Sequence, residues 1–362
     1  MTNPLDRDDL RARVQAAVEA ELATQRQVLA EVGPDLAALV DVIERLLRGG
    51  KRVRAAFAYW GYRAGGAPGT EAAVRLGTAM EFFQAAALLH DDVMDGSDTR
   101  RGMPAAHRAV AAWHAEQGWA GDSGRFGAAA ATLAGDLCLQ WTDEVYAACG
   151  LAPEQLSRAR GTFDRMRTQL MGGQYLDLLE SARGWEGLDL DGRLASARRV
   201  IRFKSAGYTI QAPLLIGAHA GGVAAAAFEP LSAYGLALGA AFQLRDDQLG
   251  VFGDPSQTGK PAGDDLREGK RTVLLAYALD AADARQARTI EELLGDPGLD
   301  AAGIESLRAV IVDTGAVEQV ERQITHLGQQ ARASLGLCRA DLDAAAAAVL
   351  DELVDVTTAR AS

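Results

Sequence analysis

Apolar residues recur at three- and four-residue spacing along nearly the whole chain, and this periodicity restricts the fold more than any other feature of the sequence. Alternating β-branched runs of strand length are lacking, and no polar linker is long enough to separate two domains. The pattern predicts an all-α fold, a single large helical bundle around a central cavity, with residues 1–362 as one domain. The predicted helices cover 8–31, 71–95, 128–149, 153–180, 190–205, 224–251, 271–294 and 304–353, with a loop at 118–127.

Charge and cysteine content exclude several classes of protein. The net charge of −12 is opposite to the basic footprint of a nucleic-acid-binding protein, so we expect no nucleic-acid partner. The three cysteines form no CxxC pair and are odd in number, which favours a reducing, cytoplasmic compartment over a disulfide framework. The longest charge-poor stretch, 209–228, is interrupted by Pro213 and by Gly221 and Gly222. We therefore expect a buried helix pair there and no stable membrane insertion.

The stretch LLHDDVMDGSDTRRG places three aspartates, Asp91, Asp92 and Asp95, at the end of an apolar helix. Positions i and i+4 share a helix face and i+1 lies about 100° away, so the three carboxylates lie close together. Mg²⁺ would relieve their repulsion, since it takes oxygen ligands and completes its coordination with water and substrate phosphates. A solvated helix end is the alternative, but the apolar residues before Asp91 favour a metal site.

A second aspartate pair, Asp246 and Asp247 in FQLRDDQLG, ends another apolar helix, and Asp254 follows it. Two such helices facing each other would place carboxylates on both walls of one cavity, where several Mg²⁺ ions could bridge a diphosphate.

Basic residues accompany both pairs, and their number suggests anionic substrates. Arg100 and Arg101 offer two planar forks for phosphate, and each basic cluster on its own fits an ordinary surface charge as well. We interpret Arg52 and Arg271 as surface charges. The cations assigned to diphosphate binding from the sequence are Lys51, Arg54, Arg100, Arg101, Lys204, Lys260 and Lys270.

Together these motifs resemble the trans-isoprenyl diphosphate synthases, also called polyprenyl synthetases, and among them the bacterial geranylgeranyl diphosphate synthases. GGKRVR, DDVMD…RRG, GGQYLD, FKS, FQLRDD and GKPAGDDLREGK occur in that order between residues 49 and 272. The resemblance implies an all-α homodimer of isoprenoid biosynthesis. It also implies Mg²⁺-dependent head-to-tail condensation of isopentenyl diphosphate with dimethylallyl, geranyl or farnesyl diphosphate.

The resemblance further implies a role for each motif residue. Those implied to bind Mg²⁺ and the allylic diphosphate are Asp91, Asp92, Asp95, Asp246 and Asp247, assisted by Arg100, Lys204, Lys260 and Lys270. Those implied to hold isopentenyl diphosphate are Lys51, Arg54, Arg101 and Gln84. Those implied to line the reaction zone are Gln174, Asp177 and Gln243, with Ser205 replacing the more usual threonine beside Lys204.

One departure from the family pattern stands in the second aspartate motif, where Gly250 occupies the position of the usual third aspartate. This departure puts the full set of metal contacts on that side in doubt.

Product length is predicted from the helix before Asp91. Ala86 and Ala87 leave space one turn below the aspartates, and Phe82 and Phe83 follow one turn further, as a floor or as core packing. The resemblance implies that farnesyl-producing members often carry aromatic residues where Ala86 and Ala87 stand. One helical turn rises by about 5.4 Å, roughly one isoprene unit, so the floor would lie about one unit lower than in those members, and the expected product is geranylgeranyl diphosphate. A terpene cyclase on the same fold and a non-catalytic subunit of a prenyl synthase are the alternatives; Lys51 and Arg54 argue against the cyclase, and the intact first motif argues against the silent subunit.

Overall fold

The computed structural model describes residues 3–253 and 263–358, and the described chain is almost entirely helical. The prediction of an all-α bundle is confirmed; the described strands are one two-residue hairpin, Thr99–Arg100 paired with Met103–Pro104. The helices are α1 Leu10–Val32, α2 Ala37–Leu47, α3 Val53–Ala64, α4 Glu71–Met94, α5 Ala106–Glu116, α6 Ser123–Ala147, α7 Pro153–Arg183, α8 Leu190–Val200, α9 Ala212–Gly221, α10 Phe228–Phe252, α11 Asp264–Arg267, α12 Val273–Ala281, α13 Ala284–Leu293, α14 Ala301–Asp313, α15 Ala316–Cys338 and α16 Ala344–Thr358.

The chain divides into two compact units, each built from several segments. The first unit contains Met1–Phe163, Pro213–Phe228 and Arg339–Leu350, and the second contains Asp164–Ala212, Glu229–Cys338 and Asp351–Ser362. The description of 1–362 as one domain stays a prediction.

The first unit is organised around α4, which packs on α3 and α6. Thr70 caps α4 at its start, because its side chain accepts a hydrogen bond from the backbone N–H of Ala73. Glycine at Gly61 and Gly217 lets α3 and α9 touch, since a Cβ at Gly61 would lie 2.2 Å from the Leu214 carbonyl oxygen. Backbones approach this closely only where a residue has no Cβ atom.

The second unit contains a π-helical segment, Ile201–Gln211, that continues α8. Glycines on two neighbouring helices face this segment. A Cβ at Gly173 on α7 would lie 2.5 Å from the backbone nitrogen of Lys204, and a Cβ at Gly239 on α10 would lie 2.7 Å from the Ala206 Cα. Small residues thus bring α7 and α10 against the segment that carries Lys204 and Ser205. π-Helical turns are frequent at functional sites.

Several helix boundaries differ from the sequence prediction for local reasons. Helix α6 begins inside the predicted loop 118–127, because the Asp122 side chain accepts from the Arg125 N–H and caps it. The predicted helix 271–294 is two helices, since Asp283 and Gln286 form a capping box that starts α13. The predicted helix 304–353 is three helices, with the left-handed Gly315 following the first of them.

One described helix, Ala225–Phe252, is long and apolar enough to cross a membrane by length and composition alone, and core helices of soluble proteins pass the same test. The aspartate pair 246–247 lies in the last two turns of this helix.

Candidate active site

The first aspartate cluster lies where α4 ends. Asp92 is only 1% exposed, whereas Asp91 and Asp95 are partly exposed. The Asp95 N–H closes the last turn on the Asp91 carbonyl at 2.8 Å, and the Ser97 N–H donates to the Asp92 carbonyl at 3.1 Å. Asp91 and Asp92 thus lie in the last turn of α4, and Asp95 is the residue that follows the helix.

Arg100 meets this cluster from the hairpin. Its Nε donates to Asp92 Oδ1 at 2.8 Å, its Nη2 also contacts Asp92, and Nη2 lies 3.6 Å from Asp91 Oδ2. An arginine fork on two adjacent carboxylates neutralises part of their charge and fixes their orientation.

Three further arginines, Arg52, Arg54 and Arg101, contribute positive charge near Arg100. Arg101 has a left-handed backbone (φ 54°) and donates to the Leu46 carbonyl at 2.8 Å. Partial desolvation lowers the pKa of Arg101, Glu81 opposes that change, and the positive charges of Arg52, Arg100 and Arg54 lower the pKa further. The positive charges of these arginines act on one another, and planar guanidinium groups suit an anion with several oxygen atoms.

The interpretation of Arg52 as a surface charge is wrong. Arg52 is 4% exposed, and its Nη1 lies 3.0 Å from Glu81 Oε2. Glu81 also accepts from the Ala55 N–H at 3.2 Å, so it ties the start of α3 to the middle of α4. The sequence signal that could have shown this is Glu81 itself, an acid in the middle of an otherwise apolar helix.

The remaining residues predicted for isopentenyl diphosphate belong to the same unit. Lys51 is exposed and follows two left-handed glycines, Gly49 and Gly50, while Arg54 and Gln84 are half-buried on α3 and α4. A Cβ at Gly50 would lie 3.5 Å from both terminal nitrogens of Arg101. The turn at Gly50 therefore runs directly beside the Arg101 guanidinium.

The second unit gathers its own set of predicted residues. On α7 and the π-helical segment, Lys204 Nζ lies 2.5 Å from Asp177 Oδ2, and both side chains are largely buried. Gln174 and Ser205 are half-buried on the same two elements. Asp177 follows Gly173 by one turn, so the close approach at Gly173 brings these two charges together.

The second aspartate pair differs from the first in its surroundings. Asp246 is exposed, whereas Asp247 is 8% exposed and accepts a hydrogen bond from Gln243 Nε2 at 2.7 Å. Burial raises the pKa of Asp247 to about 8; Asp265 and Asp246 add to the rise, while Gln243 and Lys270 oppose it. This carboxyl group is short of positive charge.

Asp265 occupies the space that the family's third aspartate would use. A Cβ at Gly250 would lie 1.9 Å from Asp265 Oδ2. Lys270, another predicted site residue, lies 3.2 Å from Asp265 Oδ1 and 2.6 Å from Glu268 Oε2. Sequence reasoning missed Asp265, although it lies in the GDDLREGK motif from which Lys270 was selected.

The remaining charged residues considered in the sequence are Arg271, Lys260 and Asp254. Arg271 is half-buried and burial lowers its pKa, so its interpretation as a surface charge is wrong. Lys260 and Asp254 lie outside the described residues.

The residues predicted to set product length lie on α4 in the order expected. Ala86, Phe82 and Phe83 are fully buried and Ala87 is half-buried. Phe82 packs edge-on against Trp141 of α6, with ring centroids 6.0 Å apart. This contact fits core packing for Phe82.

Carboxylate oxygens, the ligands that Mg²⁺ prefers, are present in both units. Within residues 3–253 and 263–358, no group of three or more His, Cys, Asp or Glu side chains is arranged to hold a metal ion. Mg²⁺ that is bound through one or two carboxylates, water and substrate phosphates needs no such cage. The surplus of negative charge around Asp247 fits a cation.

Comparison with known proteins identifies the family of the chain. A family model described as polyprenyl synthetase matches residues 37–311. A solved geranylgeranyl pyrophosphate synthase from Corynebacterium glutamicum, complexed with isoprenyl diphosphate and magnesium, is 38% identical, with a TM-score of 0.92 over 98% of this chain and 99% of that chain. The geranylfarnesyl diphosphate synthase of Aeropyrum pernix is 33% identical over 316 residues, which cover 86% of this chain and 91% of that protein.

The nonaprenyl diphosphate synthase of Mycobacterium tuberculosis is 28% identical over 349 residues, which cover 96% of this chain and 92% of that protein. Fold and relatives define the protein as a trans-prenyltransferase. The chain belongs to the polyprenyl synthetase family. Its relatives carry the names of products of different length, so the likeness gives the class of enzyme and leaves the product to the geometry.

Proposed function

We propose that the protein condenses isopentenyl diphosphate head-to-tail with allylic diphosphates and that its main product is geranylgeranyl diphosphate. The observation that carries this proposal is the group of guanidinium groups around Arg101, next to the Asp92–Arg100 pair. Acids that suit metal-bound diphosphate and arginines that suit a second diphosphate stand side by side. A terpene cyclase would have no second diphosphate for those arginines to bind.

The residues take the following roles in this proposal. Lys51, Arg54, Arg101 and Gln84 hold isopentenyl diphosphate. Asp91, Asp92 and Asp95, and separately Asp246 and Asp247, bind Mg²⁺, several ions in all, for the allylic diphosphate, with Arg100, Lys204, Lys260 and Lys270 as further cations. When bound, Mg²⁺ withdraws charge from the leaving diphosphate.

The reacting carbon atoms need polar neighbours but no protein nucleophile. Gln174, Asp177 and Gln243 stabilise the allylic cation as it develops, with Ser205 beside Lys204. The alkene of isopentenyl diphosphate attacks that cation, and the released diphosphate accepts the proton.

Product length is proposed to depend on α4. Ala86 and Ala87 have no bulk to stop the growing chain, and Phe83 stops it one turn further from the aspartates. Phe82 packs edge-on against Trp141, and we assign the floor to Phe83, which is buried on the same turn of α4.

We further propose a homodimer in the cytoplasm. Phe126 and Leu133, seven residues apart on α6, are 39% and 58% exposed, and such an apolar stripe suits a helix face of a second copy. The three cysteines are free thiols, which suits a reducing compartment.

The test incubates the protein with labelled isopentenyl diphosphate and, separately, dimethylallyl, geranyl and farnesyl diphosphates, with Mg²⁺ or with EDTA. Product length is measured after phosphatase treatment. A Mg²⁺-dependent product of four isoprene units is expected. Condensation absent with every primer would overturn the proposal.

The floor assignment is tested in the same assay. Ala87→Phe should shorten the product and Phe83→Ala should lengthen it, whereas Phe57→Leu, at a buried aromatic of α3, should leave it unchanged. An unchanged product in both α4 variants would refute the floor.

A further inference from the structure

The second unit contains a cavity that the proposed chemistry does not use. Its volume is about 480 Å³, and none of the residues assigned to catalysis or to diphosphate binding lines it. Sites for small organic ligands have volumes of roughly 300–1,000 Å³. The cavity is therefore large enough for a specific ligand.

The floor of the cavity is apolar. Leu236, Ala240 and Leu244 follow one another at four-residue spacing on α10 and form a stripe along the helix. Ile201 and Val273 extend the floor, and both are buried. A stripe of this kind suits a slender hydrocarbon chain lying along α10.

The rim of the cavity is basic. Arg198 is four residues before Arg202, and Arg322 is four residues before His326, so each pair presents its side chains on one helix face. All four side chains are exposed. Among the residues that the structure describes, neither Arg198 nor Arg322 forms an ion pair or a side-chain hydrogen bond.

Guanidinium groups on two flanking helices suit a ligand head with several negative oxygen atoms, because each planar fork can donate two parallel hydrogen bonds to phosphate. An apolar floor below them requires a tail on that head. The combination selects an amphiphile over a free nucleotide or an inorganic anion.

We propose that this groove, formed by Arg198, Arg202, Arg322 and the α10 stripe, is a binding site for an isoprenyl diphosphate that is separate from the catalytic residues. The choice of isoprenyl diphosphate over another anionic amphiphile rests on the proposed function, since such molecules would be the substrates and the product of the enzyme itself. The diphosphate lies on the arginines and the tail lies along Leu236, Ala240 and Leu244.

The experiment measures binding of geranylgeranyl diphosphate to the full chain in EDTA, which removes the Mg²⁺ needed by the aspartate clusters. Saturable binding is expected. It should weaken at least tenfold in the variant Arg198→Ala/Arg322→Ala, because charge-assisted hydrogen bonds are lost. Arg199→Ala is the matched control, since Arg199 is an exposed neighbour that does not line the cavity, and it should bind like wild type.

A geranylgeranyl diphosphate analogue with a photoreactive tail locates the ligand. Cross-links should map to α15, which carries no residue of the proposed catalytic site, and should disappear in the double variant. Cross-links on α4 alone, or equal binding by both variants, would overturn the proposal. Circular dichroism checks that the double variant is folded, and Arg322→Lys, which keeps the charge but not the fork, should bind with intermediate affinity.

Three other ligands test which part of the molecule the groove recognises. Inorganic diphosphate and geranylgeraniol should each bind at least tenfold more weakly, since each lacks one half of the recognition. Phosphatidylglycerol vesicles should not compete; if they displace the ligand, the groove recognises lipid headgroups and the proposal is wrong. The proposed function is judged separately by condensation activity, so an inactive chain that still binds in EDTA would sink only the function, and an active chain that does not bind would sink only the groove.

Discussion

The two aspartate clusters look alike in sequence, but different side chains contact the buried aspartate of each. At the end of α4, Asp92 is paired with Arg100, and Arg101 lies among Arg52 and Arg54. At the end of α10, Asp247 has Asp246 and Asp265 as neighbours and Gln243 as its hydrogen-bond donor. In the first cluster an arginine pairs directly with the buried aspartate, whereas the buried aspartate of the second accepts from a glutamine and Lys270 pairs with Asp265.

This difference shows that a repeated motif need not play the same part twice. The Arg100 fork fixes the orientation of the first carboxylates before any substrate arrives. The second cluster keeps a buried carboxyl whose pKa is raised to about 8, a state that a bound cation would reverse. We infer that metal binding changes the second cluster more than the first.

The largest effect is expected from Asp92→Asn. The substitution removes a proposed metal ligand and the partner of Arg100, so the condensation rate should fall by at least about 100-fold. Steady-state kinetics with circular dichroism measures this loss in folded protein. Asp98→Asn is the control, because Asp98 is exposed and pairs with Arg108 at 2.8 Å; a comparable loss there would show that the α4 end has no special role.

The second-largest effect is expected from removing the buried Glu81–Arg52 ion pair. Glu81→Leu would leave the Arg52 guanidinium buried without its acid, so the free energy of unfolding should fall by about 3 kcal/mol. Urea denaturation measures the change. Arg48→Ala, which breaks the exposed Arg48–Glu44 pair, should cost under about 1 kcal/mol. Equal costs would mean that Arg52 behaves as a surface charge after all.

A smaller effect is expected in the pH dependence of the free energy of unfolding, through Asp247 of the second cluster. The folded pKa of Asp247 is raised to about 8, above its ordinary value of 3.8, so folded metal-free protein holds a proton that the unfolded chain has lost. Wild-type stability should therefore fall as pH rises from about 4 to 8, and Asp247→Asn should remove that fall.

Denaturation in EDTA should show an advantage for Asp247→Asn that grows to about 1 kcal/mol or more at pH 8. Added Mg²⁺ should reduce the advantage. An advantage that is the same at pH 5 and pH 8 would contradict the raised pKa.

Much of this molecule follows from the sequence because helical periodicity and charged helix ends are local features. The helix at 71–95 and its three aspartates were predicted in place, since Thr70 and the apolar face specify α4 without distant help. The predicted helix at 271–294 is in fact two helices, because the capping box at Asp283 starts a new one. The prediction missed this division because it followed the apolar periodicity alone.

Interactions between distant segments could not be predicted in the same way. Arg52 was assigned to the surface because its partner, Glu81, lies on another helix. Asp265 was overlooked because only the packed structure shows that its carboxylate lies against Gly250. The second motif has no aspartate at position 250, and the carboxylate of Asp265, from another segment, lies at that place.

The most direct measurement is the Mg²⁺ concentration for half-maximal condensation in wild type, Gly250→Asp, Asp265→Ala and the double variant Gly250→Asp/Asp265→Ala. If Asp265 supplies the third carboxylate of the second cluster, Asp265→Ala should raise that concentration by about tenfold. Gly250→Asp alone should bring no gain, because the new side chain meets the Asp265 carboxylate. The double variant should regain most of the wild-type affinity. A wild-type Mg²⁺ requirement in Asp265→Ala, or a double variant no better than Asp265→Ala, would contradict the account.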